Sequence, residues 1–318
     1  MKILNDARLL QPVNSRVCCA IGVFDGVHLG HQQVIRQAVS DAHQLEATSL
    51  CVTFDQHPAK VTAPEQAPLL IHTLEQRLNA FKSLGIEATL VLPFDEAMSQ
   101  ISGEAFIRGL AVDLGRISSV CVGANFAFGH DRSGNVKLLH HLGEDLNFIT
   151  HGLASVSLDG QIVSSTRVRE AIGTGHLDAG GQMLGREYTL CGIIIQGDQR
   201  GRQLGFPTAN LDVAGLCTPP HGVYTAHAEG SRHTGGGEQF HRLWGDRPEG
   251  RPPRVAPRIR DIHLPYRHHS TGESRAHTAL PPPPGSLRVA RERDEPGFRD
   301  SRRIRRSGYS PAREIAKA

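Results

Sequence analysis

Two histidines three residues apart, His28 and His31, follow a glycine-bearing turn in the stretch "AIGVFDGVHLGHQQVIRQAV", Ala20 to Val39. A short apolar run, the turn Phe24-Asp25-Gly26 and a helix start are the parts of an anion site. The first turn of a helix has unpaired N–H groups and a positive dipole end. At i and i+3 the two imidazoles share one helix face, which suits a metal ion or a phosphate chain. A metal needs a third ligand, and none of suitable spacing accompanies them. Gly26 and Gly30 let a large anion approach the backbone, so phosphate is the favoured reading.

A second group of polar residues lies in "VSSTRVREAIGTG", Val163 to Gly175. Ser164, Ser165 and Thr166 are natural caps for a helix starting near Val168, and Arg167 and Arg169 add fixed positive charge at that end. That describes a phosphate clamp. It describes an ordinary capped helix with exposed arginines equally well, and the segment alone leaves both open.

The elements around these residues follow a rhythm. From Val17 onward, "VCCAIGVF", "GHQQVIRQAVSDAHQL", "ATSLCVTF", "TLEQRLNAFKSLG" and "EATLVLPF" alternate apolar runs with helical patterns. Such a βαβα order predicts a parallel sheet with right-handed crossovers, with ligands beyond the carboxyl ends of the strands. The histidine turn lies at one such end, and "TFDQHP" and "VGANFAFG" lie at two others. Around Leu184 the character changes to a β-branched strand, "YTLCGIIIQG", a glycine-rich loop, "DQRGRQLGFPTANLDV", and a second strand, "GVYTAHAEG". From Ser231 to Ala318 the chain is dense in Arg, Pro, His and Gly, and Lys317 is its only lysine after Lys137. Such a tail buries little apolar surface and is expected to be disordered.

Composition sets outer bounds. The chain has 318 residues, 39% of them hydrophobic, and a formal charge of +3, too modest to indicate a nucleic-acid or membrane partner. No apolar run is long enough to span a bilayer, and Met1 to Leu10 carries charges where a secretory segment would be apolar, so a cytoplasmic location is expected. Six cysteines without a Cys-x-x-Cys pair sit mostly in apolar runs, as buried free thiols do.

In this order, "GVFDGVHLGH", "VTFDQHP", "VGANFAFGHDRSGN", "SSTRVREAI" and "GDQRGRQLGFPTANL" resemble the bacterial bifunctional riboflavin kinase and FAD synthetase family over roughly Arg16 to Tyr224. The resemblance implies an α/β fold. A Rossmann-like nucleotidyltransferase domain with a parallel sheet over 1–183 precedes a truncated riboflavin kinase-like β-barrel over 184–229 and the tail over 230–318. It implies adenylyl transfer from ATP to FMN, giving FAD and pyrophosphate, with ATP, FMN and riboflavin as substrates and Mg2+ bridging phosphate oxygens. His28, His31 and Arg169 would be catalytic. Gly22, Phe24, Asp25, Gly26, Gly30, Ser164, Ser165 and Thr166 would bind ATP and its phosphates. Asn125, Phe54, Phe126, Phe128 and Arg132 would bind FMN, although core packing is the simpler reading for any single phenylalanine. Gly197, Gly201, Gly205, Thr208 and Asn210 would form a kinase-like ATP loop, with Thr208 and Asn210 as magnesium ligands.

The physics of the transfer agrees. The FMN phosphate is already an anion and needs no general base, so the protein's task is alignment with the α-phosphorus and neutralisation of charge on the leaving pyrophosphate. A kinase does need a base, because the riboflavin 5′-hydroxyl is not acidic, and the family places a glutamate on a later barrel strand. After "GVYTAHAEG" neither that glutamate, nor an Asn-Ile-Gly segment, nor a closing helix is found. The tail has the composition of a GC-rich gene read out of frame. A frameshift near Gly230 is therefore expected, with kinase activity lost, unpaired strand edges after Leu184, and a first domain that folds and works alone.

Two other readings compete with this one. Other nucleotidyltransferases share a His-x-Gly-His element but do not ordinarily carry "GFPTAN" after the clamp. A non-catalytic nucleotide or nucleic-acid binder would use the arginine-rich tail as an electrostatic arm, but no aromatic-interleaved basic stripe accompanies it. The expected partners are small-molecule substrates, with no membrane and no specific nucleic acid; homo-oligomers are left open.

Overall fold

In the runs Val17–Ile21 and Leu50–Val52 every side chain is buried, the mark of strands covered on both faces. They form the centre of the main sheet in the computed structural model, which describes residues 1–10, 16–196, 208–231, 258–267 and 286–290. Its first strands are β1 (Lys2–Leu4), β2 (Arg16–Ile21), β3 (Thr48–Phe54), β4 (Ala88–Leu92) and β5 (Arg116–Gly123). A hairpin of β6 (Ala127–Phe128) and β7 (Gly134–Asn135) precedes β8 (Ile149–Leu153), and β9 (Ser157–Leu158) pairs with β10 (Gln161–Ile162). The sheet order is β1-β4-β3-β2-β5-β8, parallel throughout.

Helices cover both faces. The crossovers are α1 (Leu29–Gln44), the short α2 (Ala59–Thr62), α3 (Leu74–Ser83), the short α4 (Glu96–Ser99), α5 (Gly103–Leu114) and α6 (Val136–Leu146), followed by α7 (Ser165–Gly173) and α8 (Leu177–Leu184). Local chemistry sets their ends. Thr73 and Gln76 form a reciprocal capping box at α3, Ser102 caps α5, and Asn135 caps α6. On one face, Cys19 and Val120 pack with Ile107 and Leu110 of α5 and Leu139 of α6; on the other, Ala20, Cys51 and Cys121 pack with Ile35 of α1 and Phe81 of α3.

A second, antiparallel sheet is built from β11 (Thr189–Ile195), β12 (Thr208–Asp212), β13 (Tyr224–Ser231), β14 (Arg258–Arg267) and β15 (Ser286–Ala290), in the order β13-β14-β11-β12-β15. Two tail segments thus supply strands where the sequence shows no sustained apolar periodicity. The remainder of the tail lies outside the described residues. A third core cluster crosses from the helices into this sheet, joining Ile71, Val168, Ile172 and Leu184 to Tyr188, Leu211 and Leu216. All six cysteines are free and buried, and no helix among the described residues is long and apolar enough to cross a membrane.

Candidate active site

Strand order reverses beside β2, whose neighbours are β3 and β5, and in open parallel sheets ligands bind in the crevice at such a switch point. The turn Gly22 to His28 leaves β2 there. Its backbone is forced: Phe24, Gly26 and Val27 have φ of 53°, 81° and 43°. Such values are uncommon for residues other than glycine and costly for a β-branched one. At Gly26 a Cβ would also lie 2.9 Å from Ile71 Cδ1.

Several donors hold the turn. Arg77 of α3, 2% exposed, donates through Nη1 to the Val23 carbonyl at 2.8 Å and to Thr53 Oγ1 at 3.1 Å, and through Nη2 to the Phe54 carbonyl at 3.0 Å. Gln32 Nε2 donates to the Val27 carbonyl at 3.0 Å. The Asp25 carboxylate accepts from the Ile71 and His72 amides at 3.0 and 3.2 Å and meets Arg169 Nη2 at 2.6 Å. Asp25 was expected at the ATP phosphates; its carboxylate is instead engaged within the protein, anchoring Arg169 to the turn.

His28 caps α1, its Nδ1 accepting from the His31 amide at 3.4 Å. The two imidazoles stack with centroids 3.6 Å apart, and the Phe24 ring stands edge-on to His31 at 5.3 Å. Burial pushes the His28 imidazole down to about 4. Burial, with the neighbouring His28 ring and Arg169, holds His31 well below its ordinary value. At neutral pH both rings are therefore uncharged, and their contribution to an anion is N–H donation rather than net charge. With Nδ1 of His28 accepting, its proton sits on Nε2.

Helix α7 begins at Ser165, three residues before the position expected from Val168. Only Ser164 acts as the cap, its Oγ accepting from the Arg167 amide at 3.3 Å. Ser165 and Thr166 fall in the first turn. The apolar pattern placed the start where the buried face begins, whereas the serine cap sets it a turn earlier. Ser165 Oγ donates to the Asp25 carbonyl at 3.0 Å, and the Cβ that Gly30 lacks would lie 4.0 Å from the Val163 carbonyl, so the starts of α1 and α7 meet. Arg167 does not join them: its Nη1 donates to the carbonyls of Gln161 and Ile162 at 3.0 and 2.8 Å.

Beyond the ends of β2 to β5 lies a cavity of about 550 Å³, lined by Phe54, Phe94, Phe126, Phe128 and Arg132 and by Val23 of the turn. Phe54 meets Phe94 edge-on at 5.1 Å, and Phe126 stacks on Phe128 at 5.1 Å. Asn125 is exposed on the loop after β5 and does not line the cavity. Gly197, Gly201 and Gly205 lie outside the described residues. Thr208 opens β12, and Asn210 lies on the same strand of the second sheet. Its Oδ1 is buried without a hydrogen-bond partner among the described residues, and an unpaired hard oxygen fits a magnesium ligand.

Sequence reasoning missed Arg77, His72 and Arg186. Each is a lone polar residue in an ordinary setting, and only the assembled fold brings it against the turn.

The parallel sheet, the switch-point turn and the meeting helix starts are those of an α/β nucleotidyltransferase. A family model for FAD synthetase matches residues 10–167, and one for riboflavin kinase matches residues 184–255. The bifunctional riboflavin kinase/FMN adenylyltransferase of Pseudomonas fluorescens is 33% identical over 224 residues, 70% of this chain and 72% of that protein. That of Bacillus subtilis is 33% identical over 235 residues, 71% and 72%. The protein of the same description from Buchnera aphidicola subsp. Schizaphis graminum is 29% identical over 225 residues, 70% and 72%. The chain belongs to the bifunctional riboflavin kinase/FMN adenylyltransferase family and is a transferase. A crystal structure described as a macrolide-efflux protein from Streptococcus pneumoniae shares the fold, with a TM-score of 0.65 at 20% identity over 86% of this chain and 93% of that one.

Proposed function

We propose that this chain joins the AMP part of ATP to FMN at the switch point of the main sheet. An FMN phosphate oxygen attacks the α-phosphorus, and the bond to the β-phosphate breaks, its electrons leaving with pyrophosphate. No proton has to be removed from the nucleophile. The observation that carries the reading is the stacked His28–His31 pair opening from a turn that shares Val23 with the aromatic cavity. ATP phosphates lie against the imidazole N–H groups, with Gly26 and Gly30 giving room. The first turn of α7, with Ser164, Ser165 and Thr166, faces them, and Arg169, pivoted on Asp25, supplies fixed charge. Gly22 and Phe24 shape the turn. The flavin ring enters the cavity between Phe54, Phe126 and Phe128, with Arg132 at its wall and Asn125 toward the FMN phosphate.

The groups that meet ATP and FMN lie within residues 1–183, and residues from 184 on belong to the kinase-like part. Asn210 and Thr208 would hold magnesium in that part, where it would supply neutralisation of phosphate charge. The kinase reaction itself is lost in our reading: β14 and β15, which follow β13, contain no glutamate to take the riboflavin proton. The enzyme works in the cytoplasm on these small molecules. Chromatography of the protein with MgATP and either FMN or riboflavin tests both statements. FAD from FMN with riboflavin unchanged is the expected result; FMN from riboflavin would restore the kinase, and no FAD from FMN would remove the main assignment.

A further inference from the structure

The peptides just before His28 are held by a side chain that lies just after the end of α8. Arg186 donates through Nη1 to the carbonyls of Val27 and Leu184 at 3.0 and 3.1 Å, and through Nη2 to the Gly26 carbonyl at 2.7 Å. The same Nη2 lies 3.2 Å from Nδ1 of the buried His72. Gln32 Nε2 repeats the bridge, reaching the Val27 and Leu184 carbonyls at 3.0 and 2.7 Å. A planar trans peptide points its N–H opposite to its carbonyl. Fixing the Val27 carbonyl on the guanidinium therefore aims the His28 N–H to the other side. It also keeps Gly26 and Val27 in the left-handed backbone that they would otherwise leave.

We propose that Arg186 is a positioning residue for adenylyl transfer, holding the Gly26 and Val27 carbonyls so that the turn presents His28 and His31 to the phosphates. The proposal rests on the adenylyl-transfer reading of the site. It also gives the start of the second sheet a part in the first reaction. Two residues on, Tyr188 stacks on His72 at 6.1 Å, and its hydroxyl donates to the Cys217 carbonyl.

The test uses Arg186→Ala and Arg186→Lys in the full chain. For Arg186→Ala, kcat for FAD formation is expected to fall about tenfold to a hundredfold, as misplacement of reacting groups does. FMN binding, read by flavin fluorescence, should be unchanged because the aromatic cavity does not include Arg186. Millimolar guanidinium should restore part of the rate, and Arg186→Lys should fall between. A rate within about twofold of wild type overturns the proposal, since displaced phosphate-binding groups cost more than that. So does a loss that guanidinium does not restore and that FMN binding shares, which would mark a stability role. If Arg186→Ala does not fold, Arg186→Lys decides: lowered kcat at unchanged melting and FMN binding supports the role, and unchanged kcat overturns it. If the wild type makes no FAD, the adenylyl-transfer reading itself has failed. Amide hydrogen exchange over residues 23–31 then decides: faster exchange confined to that turn in the variant supports positioning, and equal exchange overturns it.

Discussion

His28 serves two purposes, and substitutions separate them. Its ring caps α1 and stacks on His31. Asparagine caps as well as any residue but has no imidazole, so His28→Asn should keep the wild-type melting temperature while FAD formation falls at least about tenfold. His28→Ala should lose the same rate and about 1 kcal/mol of stability besides. His31→Ala should match the rate loss; full turnover in both alanine variants would remove the pair from the site. The buried histidines also set a pH dependence. Burial depresses His28 from its ordinary 6.5 to about 4, and burial beside Arg186 depresses His72 to about 3. The unfolded chain takes up protons near 6.5 and the folded chain only below those values. Stability is therefore complete above the unfolded value and is lost as pH falls from 6.5 toward 3. Thermal melts at pH 7.5 and pH 5 should show the lower midpoint at pH 5; equal midpoints would mean that these rings are not buried as described. That two histidines open a helix at an anion site was legible from their spacing. That they are uncharged was not, because their burial, and the nearby charge of Arg169 from far along the chain, exist only in the assembled fold.

At the scale of elements, the strands were readable because central parallel strands are apolar on both faces, and the helices because their caps lie in the local sequence. The backbone of the histidine turn was not readable: nothing in Phe24 or Val27 favours a left-handed φ, and contacts from Arg77, Gln32 and Arg186 impose it. The hairpin β6–β7 beside the aromatic cavity shows the same dependence on a neighbour. Gly129 has φ of 74°, and a Cβ there would lie 2.2 Å from the Gly103 amide nitrogen at the start of α5. Gly129→Ala must push hairpin and helix apart. It should raise the KM for FMN by about tenfold or more while changing that for ATP little, since the displaced wall belongs to the cavity. A rise confined to ATP would place the flavin elsewhere.

Across the whole molecule, helices α7 and α8 share a core with the second sheet, and the segment before α3 is stitched to the loop that follows β12. Leu70 donates its amide to the Gly215 carbonyl at 2.9 Å and accepts from the Cys217 amide at 2.7 Å. The next residues, Ile71 and His72, hold Asp25, which holds Arg169. A first domain that works alone is the expectation from its having its own sheet and core. A chain ended at residue 183 would lack Arg186 and uncover Ile71, Val168 and Ile172. It should melt at a lower temperature and form FAD more slowly than one ended at residue 231, and equal behaviour would show that the first sheet needs no support. The sequence by itself determined the α/β class, the order of strands and helices, the histidine pair and the family, because periodicity, capping and short motifs are local properties of the chain. Only the tertiary structure decided the charge state of the histidines, the engagement of Asp25 with Arg169, and the hold of Arg77 and Arg186 on the turn. Each of those depends on burial and hydrogen bonding between residues far apart in the chain, which exist only once the fold has brought them together.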